Sequence, residues 1–143
     1  MTDRLPFFVY GTLRPGERNH AFLHGRVTGS TPARLPDALL YDGPGYPYVV
    51  EAAGEGPVHG DLVTAHPEAY EPLLADLDHL EEYVPGDPRS LYVRVAREVT
   101  RADGATVRAW VYVASPHLAA RLRATAAPLR TGTWTREDRG AAP

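Results

Sequence analysis

The sequence predicts an α+β fold: a curved, mixed but mostly antiparallel β-sheet or barrel carrying one main helix and short helices. Three observations predict it. Residues 91–100 (LYVRVAREVT) and 107–113 alternate apolar and polar side chains on either side of an Ala-Asp-Gly turn, which is the pattern of a β-hairpin. Residues 67–83 (PEAYEPLLADLDHLEEY) form the one long stretch with helical periodicity. Everything before that helix breaks into short strand-forming runs separated by glycine and proline.

Taken in order, residues 7–10 (FFVY) read as a strand buried on both faces, because the run is apolar throughout. Residues 11–16 (GTLRPG) are a loop by their Gly and Pro content. Residues 19–24 offer one or two helical turns with Asn19 as cap. Residues 26–35 are extended. Residues 38–41 form a strand that meets the breaker cluster DGPGYP, and residues 47–51 continue extended. After the turn AAGEGP, residues 58–63 form a strand interrupted by Gly60. In the long helix, Pro67 suits the first turn but Pro72 lies well beyond it, so the helix either kinks there or starts near Glu71. VPGDP ends it. In the hairpin, Leu91, Val93, Val95 and Val99 share one face, with Tyr92, Arg94, Glu98 and Thr100 on the other. The return strand sets Val107, Ala109, Val111 and Val113 on one face. Residues 116–124 form a short helix.

The 143 residues read as a single domain, 1–143, with about 134–143 a frayed tail. The 43% hydrophobic content is enough for a core, and the net charge of −3 comes from interspersed acids and bases. With no basic stripe, a nucleic-acid partner is not expected. There is no Cys, hence no disulfide or thiolate chemistry, and all 15 basic residues are Arg. The lack of Lys removes Schiff-base catalysis and the Walker-type phosphate loop. Arg in place of Lys, with abundant Ala, Pro and Gly, fits a GC-rich bacterial genome. The start MTDRLPFF is too short and too quickly polar for a signal peptide, and no apolar run is long enough to span a membrane. The expected location is the cytoplasm.

Two adjacent carboxylates stand out. At roughly 100° per residue, Tyr70, Leu73, Leu74, Leu77 and Leu80 make one apolar stripe. Glu81 falls roughly 40° from its centre and Glu82 roughly 140° away, on the solvent side. A carboxyl turned toward a core has a raised pKa, as a general acid/base near neutral pH requires. From the wheel alone two readings stand side by side: an acid/base, or an edge residue paired to an Arg. The loop after the first strand also has two readings, an ordinary turn or a set of backbone N–H groups converging on an anion.

Six histidines are scattered. His20 and His24 have helical i,i+4 spacing, but no HExxH motif accompanies them, and solvated or capping roles are the simpler reading. Ser30, Ser90 and Ser115 lie in no G-x-S-x-G elbow. GPGYP and GEGP lack the strand-to-helix context of a dinucleotide fingerprint.

Seven pieces, in this order, carry a resemblance that spans nearly the whole chain: VYGTLRPGERNH, YDGPGYPYVV, VHGDLV, LDHLEEY, YVR, AWVYV and TGTW. Together they resemble the γ-glutamylcyclotransferase-like superfamily, also described as AIG2-like or BtrG-like proteins. The resemblance implies a small mixed barrel with helices, the cyclotransferase fold. It implies that Glu81, in the L-D-x-x-E segment, is the general acid/base. The loop Tyr10, Gly11, Thr12 and Leu13 looks like the family's pocket for the γ-glutamyl group, and Tyr92 matches a tyrosine lining that pocket. The chain departs from the pattern at Glu82, since relatives often have Gly directly after the catalytic glutamate; Glu82 is expected to point away. The implied reaction is cyclisation of a small-molecule γ-glutamyl amide to 5-oxoproline with release of an amine, without metal or cofactor. The alternative is a small-ligand binder on the same fold that does no chemistry. No oligomeric state is assigned.

Overall fold

The structure, a computed structural model, describes residues 4–17, 19–43 and 46–134. Seven strands and two helices follow one another as β1 (Phe7–Val9), β2 (Val27–Leu35), β3 (Ala38–Tyr41), β4 (Tyr48–Glu51), β5 (Val58–Ala65), α1 (Tyr70–Leu80), β6 (Tyr92–Arg101), β7 (Thr106–Ala114) and α2 (Pro116–Thr125). Short 3-10 turns occupy His20–Leu23 and Pro67–Ala69. Five strands close into a barrel in the order β1-β5-β2-β6-β7, and β3 pairs with β4 as a separate hairpin. The barrel is mixed. Its pairs are antiparallel except at the closure, where β1 meets β7 in parallel through Phe7 and Trp110.

The two faces of the strands feed two apolar clusters, as period-two alternation requires. One takes side chains from all five barrel strands, including Phe8, Leu35, Leu62, Val99 and Val111. The other forms where Phe7, Val9, Val63 and Tyr112 meet Leu73 and Leu77 of α1 and Leu118 and Leu122 of α2. Because both faces of β1 and of the end of β7 are covered, these strands read as apolar runs rather than as clean alternations.

Several elements differ from the sequence reading for physical reasons. β5 runs unbroken through Gly60, where an added Cβ would stand 2.3 Å from the Val9 carbonyl oxygen and 2.8 Å from the Phe8 ring. The glycine permits close approach of β1 rather than breaking the strand. Of the two readings at Pro72 the later start holds: Pro67 starts a 3-10 turn and the α-helix begins at Tyr70, so Pro72 falls in the first turn, where its missing N–H has no partner to lose. Asn19 precedes the turn at His20 but does not cap it; its side-chain amide donates to Thr12 Oγ1 at 3.0 Å. Trp134, placed at the start of the frayed tail, is instead 2% exposed and donates from Nε1 to Asp42 at 2.9 Å. Residues 135–143 of that tail, and Pro44 and Gly45 of the breaker cluster, lie outside the described residues. Among the described residues, no helix is long and apolar enough to cross a membrane.

Candidate active site

Helix α1 ends earlier than its periodicity predicts, and the way it ends sets the site. Glu81 is the C-cap, with φ −84° and ψ 1°. Glu82 follows in the left-handed region at φ 54°. Its N–H donates to the His79 carbonyl at 3.0 Å, and the Tyr83 N–H donates to the Asp78 carbonyl at 2.8 Å. This pair of bonds is a Schellman motif, with Glu82 at the position that glycine usually fills. The reversal leaves Glu82 exposed and Glu81 half-buried on the apolar side of the helix. A glycine at this position would meet the backbone requirement of the helix end without a side chain in the left-handed region.

Opposite the helix end lies the loop that follows β1. Its carbonyl at Gly11 accepts from the Arg14 N–H at 3.1 Å, and the Thr12 carbonyl accepts from the Asn19 N–H at 2.9 Å. His20 donates from Nδ1 to the Leu13 carbonyl at 2.9 Å, and Arg14 donates from Nε to the buried Asp61 of β5 at 2.7 Å. The loop's carbonyls are therefore engaged from outside. By contrast, the N–H groups of Gly11, Thr12 and Leu13 meet no protein acceptor among the described residues, although all three residues are buried. Buried donors without protein partners mark a place for water or an anionic ligand.

Loop and helix end share one cavity of about 230 Å³, lined by Tyr10, Gly11, Thr12, Leu13, Glu81 and Tyr92 among others. The structure thus gathers all six sequence-predicted site residues around one space. Tyr46, Pro47, Leu91, Tyr112 and Glu82 contribute to the same wall. The Tyr92 hydroxyl donates to the Pro47 carbonyl at 2.7 Å, and the Tyr10 hydroxyl to the Tyr112 carbonyl at 2.5 Å.

No group among the described residues hydrogen-bonds or pairs with the Glu81 carboxylate. Arg14, which follows Leu13 in the loop, is paired to Asp61, and Arg94 of β6 is paired to Asp78. Burial without compensation pushes the Glu81 pKa up from 4.5 to about 7. Burial also raises the hydroxyl pKa values of Tyr10, Tyr92 and Tyr112, and the Glu81 charge adds to each shift. The tyrosines stay neutral hydrogen-bonding groups, while the glutamate titrates near neutrality.

Three features escaped the sequence. By alternation alone the polar face of β6, with Tyr92 and Arg94, would face solvent, and only the resemblance set Tyr92 in the pocket. That face is instead covered, leaving Tyr92 buried and Arg94 half-buried. Asp78 drew no attention, yet it accepts from Arg94 Nε at 2.9 Å and from the Tyr112 hydroxyl at 2.5 Å. Its i,i+3 spacing from Glu81 was the available signal. The third is what packs against Gly11. An added Cβ there would stand 2.7 Å from Pro47 Cδ, so the glycine makes room for a proline ring.

A small closed mixed barrel of five strands with two helices is the architecture of the γ-glutamylcyclotransferase-like fold. The family described as gamma-glutamyl cyclotransferase, AIG2-like, matches residues 7–136, and the chain belongs to it. It is 37% identical over 108 residues to a gamma-L-glutamyl-butirosin B gamma-glutamyl cyclotransferase of Niallia circulans, an overlap of 74% of this chain and 64% of that relative. In structure it is similar to an AIG2-like protein from Mus musculus (TM-score 0.62, 21% identity, 92% of this chain and 88% of that one). It is also similar to the protein YkqA from Bacillus subtilis (TM-score 0.63, 24% identity, 91% of this chain and 39% of that one). Both likenesses concern the fold.

Proposed function

We propose that the protein is a cytoplasmic enzyme that cleaves a small γ-glutamyl amide by intramolecular aminolysis, releasing 5-oxoproline and a free amine. The observation that carries this reading is Glu81, a carboxyl without a protein partner among the described residues, its pKa raised to about 7, in one cavity with the free N–H groups of the loop. A group with that pKa exchanges protons in both directions near neutral pH.

In the reaction, the substrate's α-ammonium group first loses one proton to water, and Glu81 as carboxylate takes the second proton from that nitrogen as it attacks. The freed amine attacks the γ-carbonyl carbon and closes a five-membered ring. The developing oxyanion, or the α-carboxylate, accepts hydrogen bonds from the N–H groups of Gly11, Thr12 and Leu13. Protonated Glu81 then gives its proton to the leaving nitrogen as the C–N bond breaks, so the glutamate ends as it began. The nucleophile is tethered to its target, which supplies much of the acceleration. Tyr92, fixed to Pro47, and Tyr10 wall the γ-glutamyl group. The reaction as written calls on no cofactor. The family and the relative named for action on a γ-glutamyl group support this substrate class.

The test is a panel of γ-glutamyl amino acids, peptides and amines with 5-oxoproline as the measured product. Turnover of at least one member by the wild type, abolished in Glu81→Gln with binding retained, is expected. Binding and thermal protection without turnover across the panel would instead make the protein a binder.

A further inference from the structure

The two halves of the cavity sit on different elements. Glu81 ends α1, whereas the N–H groups follow β1. A chain of hydrogen bonds connects them. Tyr10, directly before the loop, donates to the Tyr112 carbonyl on β7. The Tyr112 hydroxyl donates to Asp78 Oδ1 at 2.5 Å on α1. Asp78 also accepts from Arg94 of β6, at 2.9 Å to Nε and 3.3 Å to the terminal nitrogen. Arg94 in turn lies over the Trp110 ring, 4.3 Å from its centroid. The backbone carbonyl of Asp78 takes the Tyr83 N–H, one of the two bonds that close the turn beneath Glu81. One residue therefore holds the turn through its backbone and the cavity wall through its side chain.

We propose that Asp78, held by Arg94, is a positioning residue that fixes the acid-bearing turn of α1 against Tyr112 and so against the loop donors. This rests on the reading of Glu81 as the proton-transfer group. The carboxylate suits the task because one oxygen accepts both a hydroxyl and a guanidinium hydrogen bond, while the fork of Arg94 fixes its rotation. The arginine also balances a negative charge three residues from Glu81. The charged or titratable groups that line the cavity with Glu81 are Glu82 on its own segment, Tyr92 from β6, Tyr112 from β7, Tyr46 before β4 and Tyr10 after β1. The ion pair of Asp78 and Arg94 stands behind this wall, bonded to the Tyr112 hydroxyl.

The experiment compares Asp78→Asn, Arg94→Gln and the double variant. Two readouts are taken: the pH titration of the Glu81 carboxyl carbon by NMR, assigned with Glu81→Gln, and kcat and KM for a γ-glutamyl amide. Asp78→Asn leaves Arg94 uncompensated and should move the Glu81 titration to lower pH. Arg94→Gln leaves Asp78 uncompensated and should move it to higher pH. The double variant should return toward the wild-type value. Asp78→Asn should also lower kcat by about tenfold or more while KM changes far less, because displacement of a reacting group by an ångström acts on the chemical step. Lower melting temperatures with an unmoved titration and unmoved kcat would overturn the proposal. Should Asp78→Asn fail to fold, Tyr112→Phe removes one hydroxyl and keeps the ion pair. It should lower kcat several-fold, and an unchanged kcat would overturn the proposal equally. If the wild type turns over no γ-glutamyl amide, the functional reading fails, while the opposite titration shifts still decide the role of Asp78.

Discussion

Glu81 and Glu82 are chain neighbours with different surroundings at one helix end: the first keeps near-helical backbone and is half-buried in the cavity wall, and the second turns left-handed at φ 54° and is exposed where it borders the same cavity. The helical wheel likewise makes the first the more buried of the two. The reason differs for Glu82, because the wheel assumes a helix that has already ended there.

Replacing Glu82 with glycine should stabilise the fold. A side chain in the left-handed region costs about 1–2 kcal/mol, and glycine at this position avoids that cost at a smaller loss in chain entropy. The expected net gain is about 1 kcal/mol, read as a higher urea midpoint at unchanged slope. A lower midpoint for Glu82→Gly would mean that the glutamate makes a compensating contact.

Glu81 should lower stability in a pH-dependent way. Its folded pKa, about 7, is above the ordinary 4.5, so between these values the folded state binds more protons than the unfolded one. Stability from this group therefore falls as pH rises through that window, and the penalty is complete above it. The full penalty is up to roughly 3 kcal/mol. Glu81→Gln removes it, so the variant should match the wild type near pH 4.5 and exceed it at pH 8. Comparing the two proteins cancels the other titrating groups. A difference that does not change with pH would mean that the carboxyl is well solvated.

The fold was legible where one strand face is apolar and the other polar, as in the β6–β7 hairpin, and where a helix carries a stripe. The local pattern left sheet or barrel open, and only the resemblance pointed to a barrel, because closure rests on a parallel pair at Phe7 and Trp110 between strands distant in sequence. Glu81 was legible because burying an acid violates the pattern around it. Asp78 was not, because an acid on the flank of a helix breaks no rule. Its partners, Arg94 and Tyr112, come from strands whose packing onto α1 no local pattern encodes. Gly11 was legible as a loop glycine, but the Pro47 ring that occupies the space beside it was not.

Trp134 separates burial from hydrogen bonding at the end of the described chain. It packs with Phe8, Tyr10 and Val113, while its Nε1–H reaches the exposed Asp42. Trp134→Ala empties a core position and should cost about 3–5 kcal/mol. Trp134→Phe keeps most of the ring and leaves a carboxylate that water can solvate, so it should cost under about 1.5 kcal/mol. Equal losses in thermal unfolding would mean that the bond to Asp42, not the buried ring, anchors the segment.

Gly11→Ala tests whether the loop's geometry depends on the ring behind it. The new methyl carbon would stand 2.7 Å and 2.8 Å from Cδ and Cγ of Pro47, well inside contact distance. Pro47 has little freedom to retreat, since its carbonyl accepts the Tyr92 hydroxyl at 2.7 Å. Either the loop moves into the cavity or the Tyr92 bond breaks, and a cost of about 1–3 kcal/mol is expected. Both outcomes disturb the cavity wall, so ligand affinity should fall with stability. Pro47→Ala removes the obstructing ring carbons. The pair should then be non-additive, with Gly11→Ala costing less in the Pro47→Ala background than in the wild type. Additive losses in that double-mutant cycle would show that the glycine serves the loop's own backbone and not its packing against Pro47.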